Sequence, residues 1–265
     1  MSKIVNHHPS VAVVKSRESD EFMFTRYDST YPALPYRLSS NTIGGNPIPK
    51  DSSPWETWER EVIEEFNNEA PHGEPLRDTT TPFAPLDEIH KIRDAILDGA
   101  RPYADFHLLT EGITMRDYLA GVGNGLTEAG VLDLLPPKKR EEAISKGLIT
   151  RAHGAIFSVY YSEIPQDMMD RTTHWMHRGF RLVTEGGLRI LTRDQLVKGI
   201  DGEIAINKAY LTAHCTPFIL GEILGLPEPL MHAPRDRALK LSTPVRESYA
   251  AYESDPTLDY KPARK

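Results

Sequence analysis

The sequence predicts an α/β protein of the α+β kind, and three observations carry that expectation. Short β-type runs open the chain at 11–15 (VAVVK) and 21–27 (EFMFTRY), an amphipathic helix starts at Pro54, and further β-type runs at 152–161, 179–184 and 188–192 lead into a short helix. Alternation suits a half-buried strand, whereas apolar residues three and four apart suit one face of a helix.

The first two runs are separated by the polar stretch SRESD, which predicts a hairpin. Residues 28–54 are rich in Pro, Ser, Gly and Asn and read as a long loop, with a short strand at Asn41-Thr42-Ile43 before Gly44-Gly45. Ser53 is placed to cap a helix, Pro54 suits its first position because its missing N–H has no partner to lose there, and Glu56 holds the capping-box position. The helix is expected to run from Pro54 to about Asn68. At about 100° per residue, Trp55, Trp58, Val62 and Phe66 form one stripe, which predicts the face packed on the sheet.

Residues 71–148 read as an inserted helical subdomain within a single domain spanning 1–265. A Pro- and Thr-rich loop at 70–85 leads to helical patterns at 86–98, 114–134 and 138–147, with Leu86, Ile89, Ile92 and Ile96 at helical spacing in the first. Covering the cleft, choosing the substrate and forming a homodimer contact are the roles open to it. Strands are then expected at 152–161, 179–184 and 188–192, the last two flanking Glu185-Gly186-Gly187, before a helix capped by Thr192. A final helical segment contains Pro217 and either kinks there or restarts with Thr216 as cap; residues 227–265, polar and Pro-containing, read as a C-terminal arm.

Composition narrows the function classes. With 31 basic against 38 acidic residues the formal charge is −7, so no general field draws nucleic acid or an anionic membrane, and neither is an expected partner. Any phosphate ligand must be gripped locally. The opening MSKIVNHHPSVAVV lacks the apolar core of a secretion signal, and no stretch approaches the roughly 20 apolar residues of a membrane span, so a cytoplasmic location is expected. The single cysteine, Cys215, rules out an internal disulfide and a multi-cysteine zinc site.

Chemistry concentrates on the first helix, where Glu61, Glu64 and Glu65 cluster beside the apolar stripe. Carboxylates so grouped suit Mg²⁺ or Mn²⁺, which take hard oxygen ligands, keep several waters and bridge to phosphates. A bare E-x-x-E-E on a helix is equally a solvated acidic face.

The surrounding segment, Gly44-Gly45 followed by Arg60-Glu61-Val62-Ile63-Glu64-Glu65, resembles the Nudix box, in which a Gly and an early Glu precede Arg-Glu-aliphatic-x-Glu-Glu-x-Gly. The run Arg60-Glu61-Val62-Ile63-Glu64-Glu65 matches in full. Asp51 stands where the early Glu is expected, Arg60 arrives one residue late, and Asn67 stands for the last Gly. The resemblance implies a Nudix-type α/β/α sandwich around a mixed sheet, with the strands at 149–225 forming its second half. It implies Glu61 and Glu65 as principal ligands of Mg²⁺ or Mn²⁺, Glu64 as a further or water-mediated ligand, and a backbone carbonyl of Gly44 or Gly45 as another. Arg60 resembles the family's orienting arginine, bonding a glutamate rather than substrate, and Glu185 is a candidate for an extra carboxylate from the second half. The activity implied is hydrolysis of a phosphoanhydride bond in a nucleoside-diphosphate-linked or related small molecule; the altered first half also permits a silent relative that binds nucleotide without turning it over.

Other signals are weaker. Arg26, Tyr31, Tyr36 and Arg37 flank the expected cleft entrance, where arginine grips phosphate and tyrosine stacks on a base; Arg26, Tyr36 and Arg37 are the substrate-binding candidates. Gly121, Gly123 and Gly125 do not follow the dinucleotide-binding spacing, and His174 with His177 reads as a surface pair rather than a zinc site. Neither a nucleophile elbow nor a G-K-[ST] phosphate loop occurs in the sequence.

Overall fold

A computed structural model describes residues 3–27, 40–69, 80–110, 129, 132–133, 137–147, 153–198, 216–225 and 236–262. Its elements in chain order are β1 (Lys3–His7), β2 (Ser10–Ser16), β3 (Glu21–Arg26), β4 (Ser40–Asn41), β5 (Ile43–Gly45), α1 (Pro54–Glu65), α2 (Leu86–Asp98), β6 (Ala100–Thr110) and α3 (Pro137–Lys146). There follow β7 (His153–Ile164), α4 (Gln166–His177), β8 (Gly187–Thr192), α5 (Arg193–Lys198), α6 (Thr216–Ile223), β9 (Asp236–Thr243), α7 (Tyr249–Glu253) and β10 (Leu258–Tyr260).

The strands form one mixed sheet, so the chain is an α/β protein of mixed topology. Its main path runs β10-β1-β7-β2-β3-β4, with β5 on β2, β8 on β3, β6 on β7 and β9 on β6. The expected hairpin is β2–β3, antiparallel with Val14 opposite Met23, while β2 lies parallel to β7 with Val11 opposite Val159. Alternation along these strands sorts the core onto two faces. Ala12, Val14, Met23 and Tyr160 face Trp58, Val62 and Phe66 of α1, Ile89, Ile92 and Ile96 of α2 and Met169 of α4. Val11, Val13, Phe22, Phe24 and Val159 face the opposite way, against Leu196 of α5 and Ile219 and Leu220 of α6.

The first helix forms for the reasons its sequence suggests. Ser53 Oγ accepts from the Glu56 N–H at 3.1 Å and Pro54 opens the helix. Glu56 reaches back to the N–H and hydroxyl of Ser52 rather than to Ser53, one residue beyond the expected box. The helix ends at Glu65, short of Asn68, because Thr184 captures its last carbonyls: the Thr184 N–H donates to Glu65 O at 2.8 Å and its hydroxyl to Glu64 O at 3.1 Å. Thr192 caps α5 as expected, accepting from the Gln195 N–H at 3.2 Å.

Three expectations need correction. Residues 179–184 do not form a strand; only Arg181 bridges, parallel to Phe83, since the Arg181 guanidinium turns back onto the carbonyls of Val183 and Thr184 and takes them out of any ladder. The stretch read as a helical insertion contains β6, which pairs along β7, and its helix α2 is part of the main core, with Leu86 exposed while Ile89, Ile92 and Ile96 are buried. Most of 111–136 lies outside the described residues. The segment read as an arm supplies β9, α7 and β10: β9 extends the sheet beyond β6, β10 pairs parallel to β1, and Tyr249 and Tyr252 are fully buried. No described helix is long and apolar enough to cross a membrane.

Candidate functional site

The site is built where β5 meets α1. Gly44 adopts φ +136°, a conformation that disfavours a side chain, and a Cβ there would fall 2.2 Å from Ser10 O, so this turn requires glycine. At Gly45 a Cβ would lie 2.4 Å from both Cδ and Oε2 of Glu61, the far end of a flexible side chain. The bare backbone of Gly45 thus forms one wall of the Glu61 carboxylate's seat.

Arg60 organises the loop and the helix together. Its Nε and Nη2 donate to both oxygens of Asp51 at 3.2 and 3.0 Å, Nη2 also to Asn46 O at 2.8 Å, and Nη1 to Glu61 Oε1 and Glu64 Oε2, each at 3.0 Å. The arginine bonds carboxylates, as the resemblance implies, and Asp51 is one of them. Asp51 also accepts from the Ile48 N–H and from Thr57 Oγ1. Burial works to raise the Asp51 pKa, but the hydrogen bonds from Arg60, Ile48 and Thr57 outweigh it and hold the carboxyl below its usual range. For Arg60, burial opposes the charge and the surrounding carboxylates more than restore it.

Glu61 and Glu65 have the opposite character. Burial raises the Glu61 pKa despite Arg60, with Glu64 and Asp51 adding repulsion. Glu65 is raised well above the ordinary value by burial first, then by the charges of Glu61, Glu185 and Glu64. Its Oε2 is closed to solvent and has no hydrogen-bond partner, as do Trp58 Nε1, Asn46 Oδ1 and Ser10 Oγ on the neighbouring elements. A buried orphan carboxylate oxygen is costly unless something positive or protic meets it.

Glu185 reaches this group through the turn that follows Arg181. That turn is pinned to the end of α1 by the two Thr184 bonds, and the Glu185 side chain is exposed beside Glu65, whose pKa its charge raises. The structure therefore gathers Arg60, Glu61, Glu64, Glu65, Gly45 and Glu185. It does not gather Arg26: that residue lies two beyond Phe24 on β3 and so projects from the face opposite α1. Tyr31, Tyr36 and Arg37, the three glycines of GVGNG and Cys215 lie outside the described residues. His174 and His177 are exposed on α4, as a surface pair would be.

Three participants escaped sequence reasoning. Thr184 acts through its backbone and hydroxyl, Arg181 is buried against the Phe83 ring at 4.4 Å, and Tyr249 donates or accepts at Thr57 Oγ1, 2.7 Å away. A polar residue interrupting an apolar run at Arg181 was the available signal; Tyr249 gave none.

Among the described residues no group of three His, Cys, Asp or Glu side chains forms a ready metal cage. The donor set nonetheless fits an ion of the magnesium type, which needs only one or two carboxylates and a carbonyl and keeps water for the rest. Glu61 and Glu65, both raised first by burial, and the orphan Glu65 Oε2 are the groups such an ion would satisfy. No protein-family model matches the chain, and no curated protein matches it in sequence.

Proposed function

We propose that this chain is a Nudix-like hydrolase that uses Mg²⁺ or Mn²⁺ to cleave a phosphoanhydride bond in a small nucleotide-like substrate. The observation that carries the reading is Glu65, whose buried Oε2 has no partner and sits among the charges of Glu61, Glu64 and Glu185. An acidic face that is merely solvated keeps its oxygens in water. The box-like order of Gly44-Gly45, Arg60 and the three glutamates, with helices against both faces of a mixed sheet, supports the family reading and its α/β/α arrangement.

Glu61 and Glu65 would hold the ion, with the Gly45 carbonyl and Glu64 as further ligands. A divalent ion so held supplies charge neutralisation for the diphosphate and orients water for attack. The chain's own contributions are positional. Arg60 fixes the Glu61 and Glu64 carboxylates from one side and is itself anchored by Asp51, while Gly45 leaves Glu61 room to lie against the backbone. Glu185, exposed at the rim beside Glu65, is the carboxylate we assign to take the proton of an attacking water. The substrate is a small molecule and the location cytoplasmic in this reading.

The test is phosphate or nucleotide release from a panel of nucleotide sugars, ADP-ribose, dinucleoside polyphosphates and nucleoside triphosphates with Mg²⁺ or Mn²⁺. Metal-dependent turnover by the wild type that Glu65→Gln abolishes is the expected result. Binding of the same compounds without turnover would replace the hydrolase with a silent nucleotide-binding relative.

A further inference from the structure

A second polar cluster is buried where the N-terminal, central and C-terminal parts of the chain meet. Asp105 of β6 stands opposite Ser158 of β7 in an antiparallel pair, so their side chains share a face. Ser158 Oγ donates to Asp105 Oδ1 at 2.7 Å, and the Tyr252 hydroxyl of α7 donates to Oδ2 at 2.6 Å. On its other side Ser158 Oγ lies 2.8 Å from His8 Nε2, and His8 Nδ1 lies 2.6 Å from the Tyr260 hydroxyl of β10. Asp105, Ser158, Tyr252 and His8 are buried, whereas Tyr260 is half-buried. A continuous line of hydrogen bonds therefore joins the edge of the molecule to a carboxyl in its interior.

Counting protons gives this line two complete arrangements. With Asp105 ionised, Ser158 donates to Asp105 and accepts from His8 Nε2–H, and His8 Nδ1 accepts from Tyr260. With Asp105 protonated, every bond along the line reverses: Asp105 donates to Ser158, Ser158 to His8 Nε2, and His8 Nδ1–H to the Tyr260 oxygen. Passing from the first to the second takes one proton from water at Tyr260. Tyr260 hands its own to Nδ1, Nε2 hands its proton to Ser158, and Ser158 hands its proton to Asp105, so His8 stays neutral and changes tautomer. Tyr252 keeps its role in both, because its hydroxyl accepts from the Arg246 N–H at 3.0 Å and donates to Asp105 Oδ2.

The other groups around Asp105 leave its charge poorly matched. Tyr160 of β7 and Tyr249 of α7 face the cluster, the latter edge-on to the His8 ring at 5.2 Å. His107, two residues along β6, lies 3.4 Å from Thr243 Oγ1 of β9. Arg246 adds positive charge, but its guanidinium bonds Asp255 and the Ala251 carbonyl. Burial accordingly outweighs the two hydroxyl donors and pushes the Asp105 pKa to about 6 from 3.8.

The geometry points to a proton relay in which Tyr260, His8 and Ser158 carry a proton from the surface to Asp105, whose neutral form fastens the C-terminal segment, α7 and β10, to the sheet. A neutral Asp105 suits the dry cluster, while an ionised one favours the entry of water, and displacing the segment that carries Tyr249, Tyr252 and Tyr260 admits it. Asp105 binds its proton more tightly in the closed form than in an opened one, where water restores the ordinary value. The segment is therefore held most firmly below pH 3.8 and progressively less as pH rises to about 6. The relay is separate from the α1 carboxylates and does not depend on the hydrolase reading.

The test is nitrogen-15 NMR of the His8 ring in the full chain at about pH 4.5 and about pH 8. The ring proton is expected on Nδ1 at the lower pH and on Nε2 at the higher. Asp105→Asn, whose amide donates to Ser158 at every pH, should keep the Nδ1–H form throughout, and Ser158→Ala should abolish the change. Amide exchange reads the fastening through two bonds that pin the segment, Tyr249 N–H to Ser52 O and Lys261 N–H to Val5 O. Their protection in the wild type relative to Asp105→Asn should fall about a hundredfold between about pH 4 and about pH 7. One tautomer at both pH values, protonation of both ring nitrogens at the lower, or a tautomer change that survives Ser158→Ala would overturn the relay. The wild-type tautomers decide it even where a variant fails to fold. A protection ratio that does not vary with pH would overturn the fastening.

Discussion

Arg60 grips both oxygens of Asp51, Nε to Oδ1 at 3.2 Å and Nη2 to Oδ2 at 3.0 Å. The pair ties the loop before α1 to the helix surface, with Asp51 only 5% exposed. Asp51→Asn puts an amide donor where a guanidinium donates and leaves Arg60 partly unmatched. A loss of about 2 kcal/mol is expected in urea unfolding. Arg60→Lys should lose a similar amount, because an ammonium cannot fork across both oxygens. Variants as stable as the wild type would show the fork to be incidental.

The two neighbouring glycines should respond differently to alanine. At Gly44 the new methyl meets the Ser10 backbone at 2.2 Å with φ +136°, so Gly44→Ala should cost about 2 kcal/mol or more. At Gly45 the clash is with the end of a flexible side chain, Glu61, at 2.4 Å. Gly45→Ala is expected to change stability by less than about 1 kcal/mol yet displace the Glu61 carboxylate and depress metal-dependent turnover strongly. Thermal melts and turnover measured on the same preparations check both; a Gly45→Ala protein with full turnover would remove Glu61 from the site.

Asp105 makes stability pH-dependent. It is fully buried on β6, accepts from Ser158 Oγ at 2.7 Å and Tyr252 OH at 2.6 Å, and burial pushes its pKa to about 6 from 3.8 against those two bonds and the nearby Arg246. The folded chain thus binds this proton more tightly than the unfolded chain. Stability from this group is full below the unfolded value and is lost as pH rises toward the folded value, by on the order of 3 kcal/mol between about pH 4 and pH 6. Urea midpoints across that range should fall with rising pH in the wild type relative to Asp105→Asn. Parallel profiles would show that Asp105 does not titrate in this window.

The C-terminal segment braces the site from behind. The Tyr249 hydroxyl lies 2.7 Å from Thr57 Oγ1, which donates to Asp51 at 2.9 Å, and the Tyr249 N–H donates to Ser52 O at 2.9 Å. Tyr249→Phe should cost about 1 kcal/mol, and Tyr249→Ala about 3–5 kcal/mol through the cavity it leaves. Chemical unfolding of the two variants separates the hydroxyl from the ring. A Tyr249→Ala protein as stable as the wild type would mean that residues 249–253 are not part of the cooperative core.

What could be read from the sequence follows the physics of each segment. The α1 helix announces itself because cap, first-position proline and apolar spacing agree, and the carboxylate group falls on it as a consequence. In β6 the alternation of Asp105 and His107 with Ala104 and Phe106 is a strand signal, but it marks the polar residues as the wet face, whereas both are buried. Asp105 is satisfied by Ser158 and Tyr252, and the latter lies on a segment whose polar, proline-containing sequence resembles a tail. Likewise His8 is buried by bonds to Tyr260 and Ser158, residues distant in sequence, so β1 and β10 had no local signal. Arg26 was read as flanking the cleft entrance, but it lies on the opposite face, which depends on the register of β3 and carries no local signal.

Whether Glu65 and Glu61 hold a divalent ion is decided by titrating the chain with Mn²⁺ and following the free ion by electron paramagnetic resonance. Saturable binding of Mn²⁺ by the wild type, displaced by Mg²⁺ and weakened at least about tenfold in Glu65→Gln, is the expected result. Equal Mn²⁺ binding by wild type and Glu65→Gln, or none by either, would contradict it.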